Sequence, residues 1–177
     1  MVKFIFNLTP VSQDRTRYST RPFPHEYDTK KVAAYKKALS AMAVKQMEEK
    51  GLKPFDCAID VRTVFYRPIQ KSVSKIEKMR RHLGVVLPTV KPDSDNYVKS
   101  TWDAFNGVLW SDDSIITDMS AKKRYSFYPR IEVEIMKSKT KRPIKCVKNV
   151  WYFVNDDGSL DPVWSDEDES QNKRTDN

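Results

Sequence analysis

The stretch 91–118 concentrates carboxylates within a basic chain. Asp93 and Asp95 stand two positions apart, so in extended backbone their side chains point to the same side. Asp112 and Asp113 follow about 18 positions downstream, directly after a short apolar run. Short carboxylates that converge in this way suit hard, oxygen-seeking cations such as Mg²⁺. The acids therefore predict a divalent metal site, provided that the chain folds back between the two pairs.

A helical pattern joins the two acid pairs. If the helix begins near Asp95 and ends at Gly107, Lys99 and Asp103 follow Asp95 on one stripe at steps of four. The adjacent stripe is apolar and contains Val98, Trp102 and Phe105. Carboxylates that hold a cation beside a lysine are suited to phosphodiester cleavage, because the cation activates water and the lysine offsets phosphoryl charge. Neither histidine nor cysteine is needed for this chemistry.

Charge indicates a polyanionic partner. The chain has 177 residues, the usual length of one domain, with 32 basic and 24 acidic residues and a net charge of +8. Residues 165–177 contain five acids and two bases, and residues 1–164 carry 30 bases and 19 acids, a net +11. We predict one nuclease domain over 1–164 and a disordered acidic tail over 165–177.

Composition excludes several other classes of protein. The four glycines are too scattered for a dinucleotide-binding or Walker A loop. Two cysteines and two histidines, all far apart, do not form a recognisable zinc module. The sequence has no apolar run approaching the roughly 18 residues of a membrane span. We therefore expect a cytoplasmic protein with reduced thiols and no membrane partner.

The periodicity of apolar residues predicts an α+β fold, with two main helices packed on a mixed sheet. One helix is expected from Asp28 or Thr29 to Gly51, and the second is the acid-bearing helix described above. Between them, a capping box at Ser74 predicts a shorter basic helix within 72–83. The remaining apolar segments predict strands over 2–8, 55–66, 115–125, 130–136 and 147–154.

Two basic segments are candidates for DNA contact. One is a loop after Pro10 that mixes arginines with Tyr18 and Phe23, which we prefer over the tryptophans as base-stacking candidates. The other is the polar side of the basic helix, for which a merely solvated surface is the alternative. The predicted DNA-binding residues are Arg15, Arg17, Arg21, Lys75, Lys78, Arg80 and Arg81.

The acid-rich stretch resembles the RusA family of Holliday junction resolvases. The matching elements are Asp93-Ser-Asp95-Asn96-Tyr-Val-Lys99, then Asp103-Ala104, then Trp110-Ser-Asp112-Asp113. The resemblance implies a homodimer that nicks a four-way DNA junction symmetrically, with Mg²⁺ or Mn²⁺ as cofactor. It implies that Asp93, Asp95 and Asp113 are catalytic metal ligands and that Lys99 assists catalysis. It also implies a bacterial or phage-infected cytoplasm as the location.

Other roles and functions stay open from the sequence. Asp112 is the alternative to Asp113 as third ligand, and Asn96, Asp103 and Asp112 are expected to support the ligands. Lys99 could instead form an ordinary ion pair with Asp95 or Asp103. At the level of function, the alternatives are a branched-DNA-binding protein without turnover, or a nuclease that acts on flaps or forks.

Overall fold

The protein is described here from a computed structural model, which covers residues 1–138, 144–148, 150–155 and 157–163. The chain divides into two compact units, Met1–Ser138 and Lys139–Asn177. The first unit contains strands β1 (Val2–Phe6), β2 (Arg17–Ser19), β3 (His25–Tyr27), β4 (Ile59–Pro68), β5 (Ile116–Ser126) and β6 (Arg130–Lys137). Its helices are α1 (Lys30–Glu49), α2 (Lys75–His82) and α3 (Ser94–Phe105).

A four-stranded mixed sheet in the order β1-β6-β4-β5 forms the base of the first unit. β6 runs antiparallel to both β1 and β4, whereas β5 runs parallel to β4. One face of this sheet is apolar because alternate residues of three strands point to the same side. These buried residues are Phe4, Phe6, Ile59, Val61, Phe65, Ile131, Val133 and Ile135. The sheet and the helices confirm the α+β prediction.

Helices α1 and α3 contact each other and contact strands of the sheet. The α1 residues Val32, Tyr35, Leu39, Ala43 and Met47 are buried at helical spacing. The hydroxyl of Tyr35 lies 2.7 Å from the hydroxyl of Thr101 on α3 within the core. Trp102 and Trp110 pack edge to face with 5.8 Å between ring centroids. Their burial confirms the core interpretation of the tryptophans.

The predicted loop after Pro10 contains a short hairpin that sequence reasoning did not predict. β2 and β3 pair antiparallel, with Arg17 opposite Tyr27. Each strand has three residues, too few for the alternating pattern that identifies a strand in sequence. We call residues 15–27 the hairpin arm.

Helix α2 begins as predicted, because the Ser74 side chain accepts a hydrogen bond from the Glu77 backbone N–H. Its orientation differs from an ordinary amphipathic helix, since the apolar residues Ile76, Met79 and Leu83 are exposed. Arg81 and its partner Glu77 face β5 instead. There the Arg81 guanidinium stacks on the Tyr125 ring at 5.0 Å and bonds to Glu77 at 2.8 Å.

The second unit contains a three-stranded antiparallel sheet of β7 (Ile144–Val147), β8 (Val150–Val154) and β9 (Leu160–Pro162). The sequence predicted a single strand over 147–154, which the structure divides between β7 and β8. The predicted domain end at residue 164 and the predicted acidic tail lie outside the described residues. No helix in the described part of the chain is long and apolar enough to span a membrane.

Candidate active site

A surface pocket of about 460 Å³ is lined by residues of α3, β5 and the turn before β5. The lining residues are Ser94, Asp95, Val98, Lys99, Trp102, Asp103, Asp113, Met119 and Ala121. The pocket thus brings together four of the predicted site residues, namely Asp95, Lys99, Asp103 and Asp113. Asp95, Lys99 and Asp103 come from α3, and Asp113 comes from the turn before β5, beyond the apolar run.

Asp93 occupies the position immediately before α3 and is not among the lining residues. It is the N-cap residue by backbone geometry, but its side chain accepts no capping hydrogen bond. The preceding loop is held by two cations that sequence reasoning missed. Arg67 donates to the carbonyls of Val90 and Lys91, and Lys123 donates to the Pro92 carbonyl at 2.9 Å. These hydrogen bonds fix the backbone that leads into Asp93. The Asp93 carboxylate itself makes no capping hydrogen bond.

Asp113 is positioned from the core through the apolar run. Trp110 is fully buried, and the backbone N–H of Ser111 donates to the Phe55 carbonyl at 2.8 Å. Gly107, with a φ of +74°, makes the tight turn into this run, and its N–H bonds to the Trp110 carbonyl. A buried tryptophan and two backbone hydrogen bonds therefore set where the acid pair emerges.

The two adjacent acids of this pair have different environments. Asp112 accepts the backbone N–H of Ser114 at 2.9 Å and caps the 3₁₀ turn Asp113–Ile115. Hydrogen bonds from Ser114 lower the pKa of Asp112 below its usual value. Asp113 lines the pocket instead. The geometry favours Asp113 over Asp112 as the acid that faces the pocket.

Asp103 is paired with a lysine that the sequence did not single out. Lys36 on α1 donates to Asp103 and to Asp28, both at 2.8 Å. Partial burial opposes the charged ammonium, but hydrogen bonds to Asp103 and Asp28 raise the pKa of Lys36 above its usual value. The Lys36 hydrogen bond lowers the pKa of Asp28, to which Lys99 adds a smaller effect.

The hydrogen bonds of Lys36 bear on the alternative that Lys99 forms an ordinary ion pair with Asp95 or Asp103. Asp103 is bound by Lys36, and within the described residues Lys99 forms no salt bridge. An ordinary helical pair with Asp95 or Asp103 is therefore absent from the described structure. Lys99 lines the pocket as a cation whose charge is available to an anionic ligand. Asp103 contributes by holding α1 to α3, a contact 67 residues apart in sequence.

The donor chemistry of the pocket fits a hard divalent cation, because Asp95 and Asp113 supply carboxylate oxygens. Among the described residues, however, no group of three His, Cys, Asp or Glu side chains is close enough to hold a metal ion. The structure thus brings Asp95 and Asp113 to one pocket, whereas Asp93, the N-cap of α3, does not line it.

The remaining predicted residues fall into two groups. The arginines of the hairpin arm and Lys75 and Arg80 of α2 are exposed, and Lys78 is half-buried. The Arg81 guanidinium is engaged within the protein, since it bonds to Glu77 and Gln70 and stacks on Tyr125. The backbone carbonyl of Asn96 accepts the Gln13 N–H at 2.8 Å, and a supporting role for the Asn96 side chain stays a prediction.

An α+β fold that places carboxylates and a lysine in one pocket of a basic protein has the features of a nuclease. The family described as Endodeoxyribonuclease RusA matches residues 7–136, and the chain belongs to this family. The chain is also 39% identical over 137 residues to "Uncharacterized protein YqaN" of Bacillus subtilis (strain 168). That match covers 76% of this chain and 94% of the relative. Family membership implies a DNA endonuclease that acts on Holliday junctions.

Proposed function

We propose that the protein is a Mg²⁺-dependent Holliday junction resolvase that accepts Mn²⁺ as a substitute and cuts two strands symmetrically. It works as a homodimer, because a twofold axis places two equivalent sites on a four-way junction. Family membership supports the substrate. The observation that carries the chemistry is the shared pocket of Asp95, Lys99 and Asp113.

In this mechanism Asp93, Asp95 and Asp113 would hold the ion, which when bound supplies an activated water and stabilises the leaving oxygen. The Lys99 ammonium offsets the negative charge that grows on the phosphoryl oxygens. Met119 and Ala121 add apolar surface to the lining of the pocket. Lys36 keeps Asp103 from neutralising Lys99.

DNA backbone contacts are assigned to the exposed cations Arg15, Arg17, Arg21, Lys75 and Arg80 and to the half-buried Lys78. These contacts orient the duplex arms and carry no sequence information. Arg81 is instead a positioning residue that holds α2 against β5 through Tyr125. Its side chain is already used by Glu77, so it has little to offer a phosphate.

The adjacent acids provide a matched test of the site. We expect Asp113→Asn to cut a synthetic four-way junction in Mg²⁺ at least about a hundredfold more slowly than wild type, because a ligand to the ion is lost. Asp112→Asn should stay within about threefold, since asparagine caps a turn as well as aspartate does. Binding of the junction in EDTA should be retained by both variants. Wild-type cutting by Asp113→Asn would contradict the assignment.

The same assay separates the proposed resolvase from its alternatives. Flap, fork and linear duplex substrates of the same sequence are cut in parallel with the junction. Preferential cutting of flaps or forks would replace the proposed substrate. Tight binding of the junction without cleavage in either Mg²⁺ or Mn²⁺ would point to a branched-DNA-binding protein.

A further inference from the structure

The hairpin arm exposes aromatic rings that a folded protein ordinarily buries. Tyr18 is 64% exposed and Phe23, at the tip, is 77% exposed. The tip is nevertheless ordered by local hydrogen bonds, since Ser19 Oγ donates to the Arg21 carbonyl and His25 Nδ1 lies 2.7 Å from the Phe23 carbonyl. The rings are thus presented to solvent on a structured element.

Positive charge surrounds these rings. Residues 15–31 contain five basic and two acidic residues, and one of those acids, Asp28, is already paired with Lys36. A groove of about 570 Å³ runs between the arm and the start of α1. It is lined by Asp14, Arg17, Tyr27, Thr29, Lys30 and Lys31. The charge complements a polyanion.

The residues that flank the arm on its two sides are hydrogen-bonded to each other. They are also hydrogen-bonded to α3, the helix that carries part of the candidate active site. The Thr29 hydroxyl donates to Asp14 at 2.8 Å, which closes the base of the arm. The Gln13 side chain donates to Asp28 at 2.7 Å, and the Gln13 N–H donates to the Asn96 carbonyl on α3. Asn96 is the neighbour of Asp95, so the arm is rooted beside the pocket.

We propose that the hairpin arm binds nucleotides whose base stacking is interrupted at the branch point of the DNA substrate, with Tyr18 and Phe23 stacking on these bases. Arg17, Lys30 and Lys31 contact the phosphates of the same nucleotides. Base faces are covered in a continuous duplex and become accessible only where the stack is interrupted. The arm therefore gives selectivity for branched over linear DNA, a role that rests on the proposed nuclease function.

A binding experiment with the full chain in EDTA tests the arm without cleavage. The probes are a single-stranded oligonucleotide, a linear duplex and a four-way junction with 2-aminopurine at the branch. We expect the double variant Tyr18→Ala, Phe23→Ala to lose at least about tenfold in affinity for single strand and junction. Its affinity for linear duplex should change less than about twofold, and 2-aminopurine fluorescence at the branch should respond to wild type only.

Three controls make the result decisive. Tyr128→Ala removes a tyrosine that is 73% exposed outside the arm and should leave all three affinities unchanged. Tyr18→Trp, Phe23→Trp should restore binding, because tryptophan keeps a stacking surface. Arg17→Ala should lower the affinity for all three probes by similar factors.

Other outcomes would overturn the proposal. These are an equal loss on duplex and junction, no loss on any probe, or a change in oligomeric mass without a change in DNA binding, which would make the arm a protein interface. Failure of the proposed function is a separate result. Wild-type protein could fail to cut junctions in Mg²⁺ and still bind single strand through the aromatic residues. That result would refute the proposed resolvase activity and support the proposed role of the hairpin arm.

Discussion

At the scale of single residues, the site depends on which acids and cations are already engaged inside the protein. The Asp112 carboxylate accepts a hydrogen bond from the Ser114 N–H, and the Asp103 carboxylate accepts one from Lys36. Asp95, Asp113 and Lys99 line the pocket without such partners among the contacts of the described residues. The residues proposed for catalysis are therefore those that folding leaves available for a ligand.

Lys99 provides the prediction at this scale. Replacing it with methionine keeps the stem but removes the charge, so we expect junction cleavage in Mg²⁺ to slow by about a hundredfold. Affinity for the junction in EDTA should fall only a few-fold, as for one lost phosphate contact. Lys99→Arg should retain part of the rate, and Lys45→Met, on a side chain that is 76% exposed, should retain all of it. Parallel losses of rate and affinity in Lys99→Met would mean that Lys99 only binds DNA.

At the scale of elements, sequence patterns predicted the structural features that depend on residues close together in the sequence. Thr29 and Ser74 cap their helices as the capping preferences indicate, and the apolar face of β4 follows from period-two alternation. No local pattern predicts the role of Lys36, because its partner Asp103 is 67 residues away in the sequence. A contact that tertiary packing creates leaves no local signal.

The orientation of α2 escaped sequence reasoning for a related reason. Its apolar stripe is typical of a helix that packs on a core, but β5 presents Tyr125, whose ring accepts the Arg81 guanidinium. The His82 ring also packs on Phe127, at 4.6 Å between centroids. Aromatic rings on β5 and in the turn after it thus hold Arg81 and His82 against the sheet. The pattern identified the helix and its start, but not the face that it buries.

The contacts that Arg81 makes on the inner side of α2 predict how substitutions in this helix change stability. Arg81→Met should lower the free energy of unfolding by about 1 to 2 kcal/mol, because it removes the contacts with Glu77, Gln70 and Tyr125. Met79→Ser, on the exposed side, should stay within about 0.5 kcal/mol. Urea unfolding followed by circular dichroism measures both. A larger cost for Met79→Ser would show that the apolar stripe is buried, and dependence of that cost on protein concentration would place it in a dimer interface.

At the scale of the whole molecule, the joint between α1 and α3 links stability to pH. Burial raises the pKa of Tyr35 to about 12 from its ordinary value near 10. Its neutral form therefore stabilises the fold fully below about pH 10, and this contribution is lost as the pH rises towards 12. Near pH 11 the loss amounts to about 1.4 kcal/mol, one unit of pKa.

Tyr35→Phe isolates this contribution. The variant loses the hydrogen bond to Thr101 at every pH, which costs about 1 kcal/mol. Because phenylalanine does not titrate, the stability of wild type relative to the variant should fall by about 1.4 kcal/mol between about pH 9 and pH 11, so that the gap closes and slightly reverses. Tyr97, whose pKa is also raised by burial, titrates in both proteins. A constant gap from urea unfolding at the two pH values would contradict a buried, neutral Tyr35.

The net charge of +11 over residues 1–164 predicts DNA binding that weakens steeply with salt, because each phosphate contact releases condensed counterions. Two neighbouring arginines test whether the charges act through their placement or only through their sum. Arg80 is 56% exposed on α2, whereas Arg81 is 18% exposed and engaged by Glu77. Arg80→Ala should therefore reduce the slope of log affinity against log salt by about 1, and Arg81→Met should reduce it by clearly less. Titrations of a linear duplex between about 50 and 200 mM salt measure both slopes. Equal reductions would mean that net charge alone sets the affinity and that the inward contacts of Arg81 do not hold in the DNA complex.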